Sequence, residues 1–354
     1  MIEKRKEDHI NICLKEDVEA YYNYWDDVNL IHSPIPRVDL EDVDLTTRLL
    51  GVELRAPIII EAMTGGSETA RTINRNLAIV AEEFGIGLGV GSQRAAIENP
   101  DLEDTYSVVK EYEIPLRIGN LGAPQFVAQG DAEPYGEAEV ERAMEMIDAH
   151  ALAIHFNYLQ EIIQPEGDHR AGDLEAALRK VARRYPLIAK ETGAGFDAES
   201  AFRVRAMGFR AIDVAGAGGT SFAAVEYYRA RACGDVLRER LGEIFREWGI
   251  PAPVSLTLSR AVGLDIIASG GIRHGLDVAR ALVLGAHAGG LARALLPAAV
   301  KDVDALRAEM EAIIASLRAA VFLSGADSVE ELRKMGAKGR YVITGKLREW
   351  MEQV

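Results

Sequence analysis

From residue 57 onward the chain is divided by eight short apolar runs that end in small or polar residues. They are Pro57–Met63, Gly85–Gly91, Leu116–Leu121, Ala151–Asn157, Pro186–Thr192, Ala211–Ala217, Asp265–Gly270 and Ala286–Ala292. Runs of this length bounded by turn-formers read as buried strands. Between most of them lie stretches with helical periodicity: Thr69–Glu83, Glu137–Asp148, Leu174–Arg184, Ala198–Met207 and Leu276–Leu284. Asp173 and Asp197 stand at the expected N-cap positions. Parallel neighbours need a crossover, and a helix supplies it, so this alternation predicts βαβ units. Eight such units fit an α/β fold of the closed (β/α)8 TIM-barrel type. An open doubly wound sheet also accommodates eight runs, but it uses mainly its switch point for ligands. Here nearly every run ends in residues suited to a site, as expected when all strand ends face one mouth.

The rest of the chain is arranged around this rhythm. Residues 1–50 form an N-terminal arm to a single domain spanning 1–354. The longer interval at 222–264 holds a charged helix, Ala224–Glu247, and then Trp248-Gly249-Ile250-Pro251. Val303–Phe322 and Ser328–Met335 read as closing helices. The net charge of −15 argues against general nucleic-acid binding, which wants a basic face. It leaves room for an anionic ligand held by local Arg and Lys. The two cysteines, Cys13 and Cys233, lack metal or disulfide spacing and suit a reducing compartment. The start MIEKRKEDHI has no apolar core, and no stretch approaches a membrane span. The expectation is a cytoplasmic protein with no membrane partner.

The strand ends carry the chemistry. Ala151–Ile154 stops at His155, Asn157, Gln160 and Glu161. Four polar groups leaving a buried strand are hard to explain without a ligand. Glu161 suits Mg²⁺, which takes one or two protein carboxylates and leaves its other positions to water and phosphate. His155 and Asn157 alternate along the strand, so both side chains face one way and can donate to a diphosphate. Gln160 is a hydrogen-bonding or proton-relaying candidate. Lys190 leaves the fifth run and needs an anion: a structural carboxylate, a Schiff-base partner or the electron-rich edge of a flavin. Thr64-Gly65-Gly66, Ser92, Arg94 and Asn120 end the first three runs and read as ring- or phosphate-binding groups, or as simple turns. Glycine-rich ends at the last two strands form the usual phosphate cradle of a barrel, with Thr220 and the N–H groups of Gly270, Gly271, Ala292 and Arg293. Arg5 and Lys6 in the arm read either as a solvated helix start or as a basic clasp for the substrate.

These segments closely resemble the type 2 isopentenyl-diphosphate delta-isomerases. The matching motifs are RKEDHI (5–10), AMTGG (62–66), GSQR (91–94), GNLG (119–122), HFNYLQE (155–161), KETGAG (190–195), DVAGAGGTSF (213–222), WGIP (248–251), ASGGIR (268–273) and GLAR (290–293). The resemblance implies an FMN-dependent enzyme that interconverts isopentenyl and dimethylallyl diphosphate. It implies reduced FMN, with NADPH or NADH as reductant, Mg²⁺, and a homotetramer or homo-octamer. By the same resemblance, Arg5, Lys6, Gln93, Arg94, His155, Asn157 and Gln160 face substrate, Gln160 being the catalytic candidate, and Glu161 binds the metal. Ala62, Met63, Thr64, Ser92, Asn120, Lys190, Thr220, Gly270, Gly271, Ile272, Ala292 and Arg293 would hold FMN.

Two positions depart from the family pattern. Glu61 stands where a small residue is commoner, and is expected to turn outward or to pair, for example with an arginine. Ala252 replaces a common threonine after WGIP. The competing reading is an FMN-dependent oxidoreductase of the 2-hydroxy-acid oxidase type. It wants a histidine after strand six, where this chain has AGAGGTSF; His155 and His274 are the nearest substitutes. A related nucleotide dehydrogenase would want a cysteine in that loop, and none is there. A non-catalytic flavin-binding protein would have no use for Glu161 or the basic arm.

Overall fold

The computed structural model describes residues 2–353. The eight predicted strands form one closed parallel barrel. We label them β1 (Ile58–Ile60), β2 (Gly87–Gly89), β3 (Leu116–Gly122), β4 (Ala151–Phe156), β5 (Leu187–Glu191), β6 (Ala211–Asp213), β7 (Asp265–Ala268) and β8 (Ala288–Leu291). Each pairs with its sequence neighbour, and β8 closes on β1 through Gly290 opposite Ile59. The strands are short because each one leaves the ladder where its apolar run ends.

The helices form where periodicity and caps coincide. Glu68–Phe84 starts at Ser67, whose hydroxyl accepts from the Ala70 amide. Ala198–Met207 starts at Asp197, which accepts from the Ser200 amide. Asp173 precedes its helix but makes no capping bond, because its backbone is left-handed with φ 62°. The charged helix expected over 224–247 is two helices, Phe222–Cys233 and Val236–Ile244. Gly234, at φ 73°, turns the chain between them, and the Asp235 carboxylate caps the second. A helix at Ala252–Arg260 was not foreseen; Pro251 sits at its N-cap. Its apolar and hydroxyl residues carry no strong periodic signal.

The N-terminal segment is built onto both ends of the barrel. A helix at Ile2–Lys15 crosses the C-terminal mouth. The strand Val28–Leu30 pairs antiparallel with Tyr341–Ile343 near the chain's other end. The hairpin Thr47–Leu49/Val52–Leu54 stoppers the opposite mouth, where Leu49 and Leu54 pack among Ile59, Leu116, Ile118 and Ile188. Trp25 is fully buried, and its indole N–H donates to the Gly270 carbonyl at 2.8 Å. The outward faces of the strands, among them Ile58, Ile60, Leu152 and Ile212, belong to the large core shared with the helices.

Candidate active site

Strand alternation decides what fills the lumen. Ile59, Ile118, Ala153, Ile188, Ala211, Ile267 and Ala288 pack together with the hairpin leucines. Two residues further along each strand, the same face carries Glu61, Asn120, His155, Lys190, Asp213, Ser269 and Gly290. An apolar plug is thus topped by a polar layer. All of that layer except Asp213 lines a cavity of about 540 Å³ at the C-terminal mouth.

Lys190 sits at the centre of this layer. Its ammonium donates to Glu61 Oε2 at 2.7 Å and to Asp213, which also accepts from the Ser269 hydroxyl. Burial opposes its charge, but the two carboxylates outweigh burial and hold its pKa above the ordinary value. Glu61 is therefore turned inward and paired with a lysine, not an arginine. Burial and then the Asp213 charge raise its pKa to about 7, against the pull of Lys190. His155 Nδ1 lies 2.8 Å from the Asn120 side-chain oxygen, which only accepts, so Nδ1 carries the proton. Burial, with Lys6, Lys190 and Arg5 nearby, lowers the His155 pKa to about 3. The ring is neutral near pH 7. The Asn120 amide nitrogen donates to the Val90 carbonyl, so both ends of this side chain hold the wall together.

The second cluster comes from the turn after β4. Asn157, Gln160 and Glu161 share one face because they open the helix Tyr158–Ile163 at i, i+3 and i+4 spacing. Asn157 Nδ2 donates to Glu161 Oε1 at 2.8 Å and to Gln160 Oε1 at 3.3 Å. Glu161 Oε2 accepts from Gln164 Nε2 at 2.5 Å and from the Asp168 amide at 2.8 Å. Burial raises the Glu161 pKa, and these N–H donors oppose the rise. Gln160 Nε2 donates to Glu226 Oε1 at 2.9 Å, and His9 from the arm lies 2.9 Å from the same oxygen. Burial alone would raise the Glu226 pKa, but His9, Arg229 and Gln160 outweigh it and bring it down to about 2. Burial keeps His9 itself below its usual pKa, so near neutral pH Arg229 supplies the standing positive charge.

The arm helix aims Arg5, Lys6 and His9 at this cluster from its own barrel's mouth. Arg5 stands 3.8 Å from Glu166. Lys6 makes no ion pair among the described residues, and burial with Arg5 beside it lowers its pKa to about 7. A cation in that position awaits an anion. Arg94 is held by Glu98 at 2.6 Å and Asp168 at 2.7 Å. Arg293 donates to the Cys13 carbonyl at 3.0 Å and pairs with Glu19 at 2.5 Å, clamping the arm down. Asn23 and Trp25 bind the carbonyls of Gly271 and Gly270 at 2.7 and 2.8 Å, fixing the glycine loop after β7 from the arm side.

Most of the expected residues meet here. Arg5, Lys6, Arg94, His155, Asn157, Gln160 and Glu161 line the cavity, as do Ala62, Met63, Ser92, Asn120, Lys190, Thr220, Gly270, Gly271, Ile272, Ala292 and Arg293. Two do not. Gln93 is fully buried behind the wall; its Nε2 donates to the Ala143 carbonyl at 2.8 Å and its Oε1 accepts from the Asn120 amide. This corrects its expected substrate-facing place to a support for Asn120. Thr64 is also buried, with its hydroxyl unpartnered and off the lining; its carbonyl accepts from the Gly91 amide. His274 caps the helix Gly275–Val283 through the Asp277 amide and lies off the cavity lining, so it cannot serve as the missing base. Glu226 was not anticipated. It lies 65 residues beyond Glu161 on a helix of ordinary composition, and only the buried pairing with His9 and Gln160 marks it.

We expect Glu226→Ala to leave His9 and Gln160 without their shared acceptor and Arg229 without its closest carboxylate. Stability should fall by roughly 3–5 kcal/mol, the usual cost of breaking a buried pair from one side. Chemical denaturation measures it, and a loss below about 1 kcal/mol would show the network to be incidental.

Comparisons with known proteins identify the family and the fold. The FMN-dependent dehydrogenase family model matches residues 109–337. An isopentenyl-diphosphate delta-isomerase of Thermoplasma volcanium is 47% identical over 352 residues, covering 99% of this chain and 100% of its own. One from Picrophilus torridus is 44% identical over 352 residues, with 99% of each chain covered. Among solved structures, a mandelate oxidase variant covers 97% of this chain and 99% of its own with a TM-score of 0.60 at 18% identity. A flavocytochrome b2 variant covers 88% of this chain and 76% of its own with a TM-score of 0.63 at 17% identity. These structural likenesses speak for the barrel alone. The full-length sequence matches and the family model together place the chain in the type 2, FMN-linked isopentenyl-diphosphate delta-isomerase family.

Proposed function

We propose that this enzyme interconverts isopentenyl and dimethylallyl diphosphate, using reduced FMN in the barrel mouth and Mg²⁺ on the diphosphate. The observation that carries the reading is the convergence of Arg5, Lys6 and Glu161 on one cavity whose floor is the polar layer around Lys190. Residues that suit FMN are present: glycine loops after β6 and β7, Thr220, and a buried floor with one carboxylate oxygen of Glu61 unpartnered. Residues that suit a magnesium ion are present too. Among the described residues no three His, Cys, Asp or Glu side chains cluster as a closed metal cage. A lone Glu161 with substrate oxygens and water is the arrangement Mg²⁺ commonly accepts.

Moving the double bond adds one proton and removes another with no net redox change. When bound, reduced FMN supplies the proton donor and acceptor beside the allylic carbons. The chain's own groups do the rest. Arg5, Lys6 and Arg94 bind the diphosphate, and Glu161 holds its metal, so binding remote from the reacting carbons orients them. Arg94 leaves Asp168 to do so. A diphosphate arriving beside His155 would raise its pKa from about 3, because an opposite charge favours the imidazolium. Gln160, fixed between Asn157 and Glu226, orients the isoprenyl chain or relays a proton. Lys190 steadies the negative charge of the reduced ring. The same reading includes NADPH or NADH as reductant, a homotetramer or homo-octamer, and a cytoplasmic setting. No helix among the described residues is long and apolar enough to cross a membrane.

The test is turnover of isopentenyl diphosphate with FMN, Mg²⁺ and anaerobic NADPH, beside an oxidised-flavin control. We expect dimethylallyl diphosphate only with reduced flavin. No product from fully loaded, reducible protein would overturn the reading and favour the oxidase alternative.

A further inference from the structure

Glu61 is the one member of the polar layer that the pairing scheme does not need. Lys190 already has Asp213, its register neighbour on β6. Adding Glu61 gives two carboxylates to one ammonium. Glu61 spends Oε2 on Lys190, while Oε1 is buried and has no partner. A buried unpartnered carboxylate oxygen is costly, and a ligand that brings a donor would explain it. The fold makes room for this oxygen: a Cβ at Gly290 would come within 2.1 Å of Glu61 Oε1. The side chain is nearly inaccessible yet lines the cavity. The missing donor has to be an N–H or O–H group from whatever fills the floor. An isoprenyl diphosphate has neither near its hydrocarbon, whereas a flavin ring carries an N–H group on its polar edge in both oxidation states.

We propose that Glu61 is a flavin-contacting residue, its free Oε1 accepting a hydrogen bond from the ring while Oε2 holds Lys190, so that this carboxylate sets how strongly the protein favours oxidised over reduced FMN. The proposal rests on FMN being the resident cofactor. The groups facing Glu61 are Lys190 from β5, Asp213 from β6 with Ser269 from β7 behind it, and Gly290 from β8; His155 on β4 lies across Lys190 in register. Of these only Lys190 is cationic, so the trio of Glu61, Lys190 and Asp213 carries one net negative charge when all are ionised. A negative group beside an electron-rich reduced ring disfavours reduction, and its removal favours it.

The experiment uses the full chain, reconstituted with FMN at pH 8, where Glu61 is mostly ionised given its pKa of about 7. Four proteins are compared: unsubstituted, Glu61→Gln, Glu61→Leu and Gly290→Ala. FMN affinity is read by fluorescence quenching and the midpoint potential by anaerobic dye titration. We expect Glu61→Gln, which keeps the shape, to bind FMN but to gain about tenfold in preference for the reduced form, a rise of about 30 mV for a two-electron couple. Glu61→Leu should lose FMN affinity by about tenfold, because the ring donor then meets an apolar group. Gly290→Ala, which displaces Oε1 without changing charge, should weaken FMN binding in the same direction. Unchanged affinity and potential in both Glu61 variants would overturn the proposal and leave Glu61 as a mere counter-ion. Failure of the unsubstituted protein to bind FMN would overturn the flavin reading itself, and the proposal with it.

Discussion

Replacing Glu161 with glutamine is expected to raise the Mg²⁺ concentration needed for half-maximal turnover by at least about a hundredfold. Outer-shell partners of a metal ligand typically cost 10–100-fold when lost, and Glu161 is proposed as the ligand itself. The substitution keeps the volume but changes the chemistry of both oxygens. Three donors point at this carboxylate: Asn157 Nδ2, Gln164 Nε2 and the Asp168 amide. Whichever position the new amide nitrogen takes, it faces a donor with another donor, and the local fold loses about 1–3 kcal/mol. Turnover against Mg²⁺ concentration, with thermal unfolding as control, separates the two effects. Metal binding needs the ionised carboxylate, and burial raises the Glu161 pKa, so Mg²⁺ affinity should fall as the solution is acidified. A Glu161→Gln enzyme with unchanged Mg²⁺ dependence would remove Glu161 from the metal site.

The architecture was legible because periodicity is a local property. An apolar run and its turn residues lie within one stretch of sequence, and eight repeats leave few folds to choose among. The residues at the strand ends were legible for the same reason. His155, Lys190 and Glu61 all lie two positions beyond an inward-facing apolar residue, so the period of a strand already puts them in the lumen. Applied to Glu61, that rule points inward from Ile59; comparison with a family habit of small residues obscured it. Gln93 failed in the opposite way. It follows the strand, where the chain turns to enter the helix Arg94–Glu98, and the period no longer applies. Glu226 had no local signal, since what makes it part of the site is contact with a helix from the far end of the chain. The division at Gly234 and the helix after Pro251 were written in turn chemistry that the charge pattern masked.

Replacing Lys190 with methionine should be the most damaging single change in the barrel floor, costing roughly 3–5 kcal/mol above neutral pH. The methionine fits the space, so the cost is electrostatic: Glu61 and Asp213 remain side by side, buried, with no cation between them. The pH dependence follows from the Glu61 shift. Its pKa in the folded protein is about 7 against 4.5 for the free side chain, so the folded state holds the proton more tightly. Stability from this group is complete below pH 4.5 and is lost as pH rises through about 7. Without Lys190 the repulsion from Asp213 is unopposed, the folded-state pKa rises further, and the loss continues into more alkaline solution. The variant should therefore approach the unsubstituted enzyme at pH 5 and fall well short of it at pH 8. The double change Lys190→Met with Glu61→Gln should recover a large part of the deficit at pH 8, because Asp213 then has no second buried carboxylate beside it. Urea denaturation of all four proteins of the cycle at both pH values measures the coupling directly. A deficit under about 1 kcal/mol at pH 8, or one that does not change with pH, would mean that the two carboxylates are stabilised by something other than Lys190. In that case the charge reaching the flavin would have to be assigned anew.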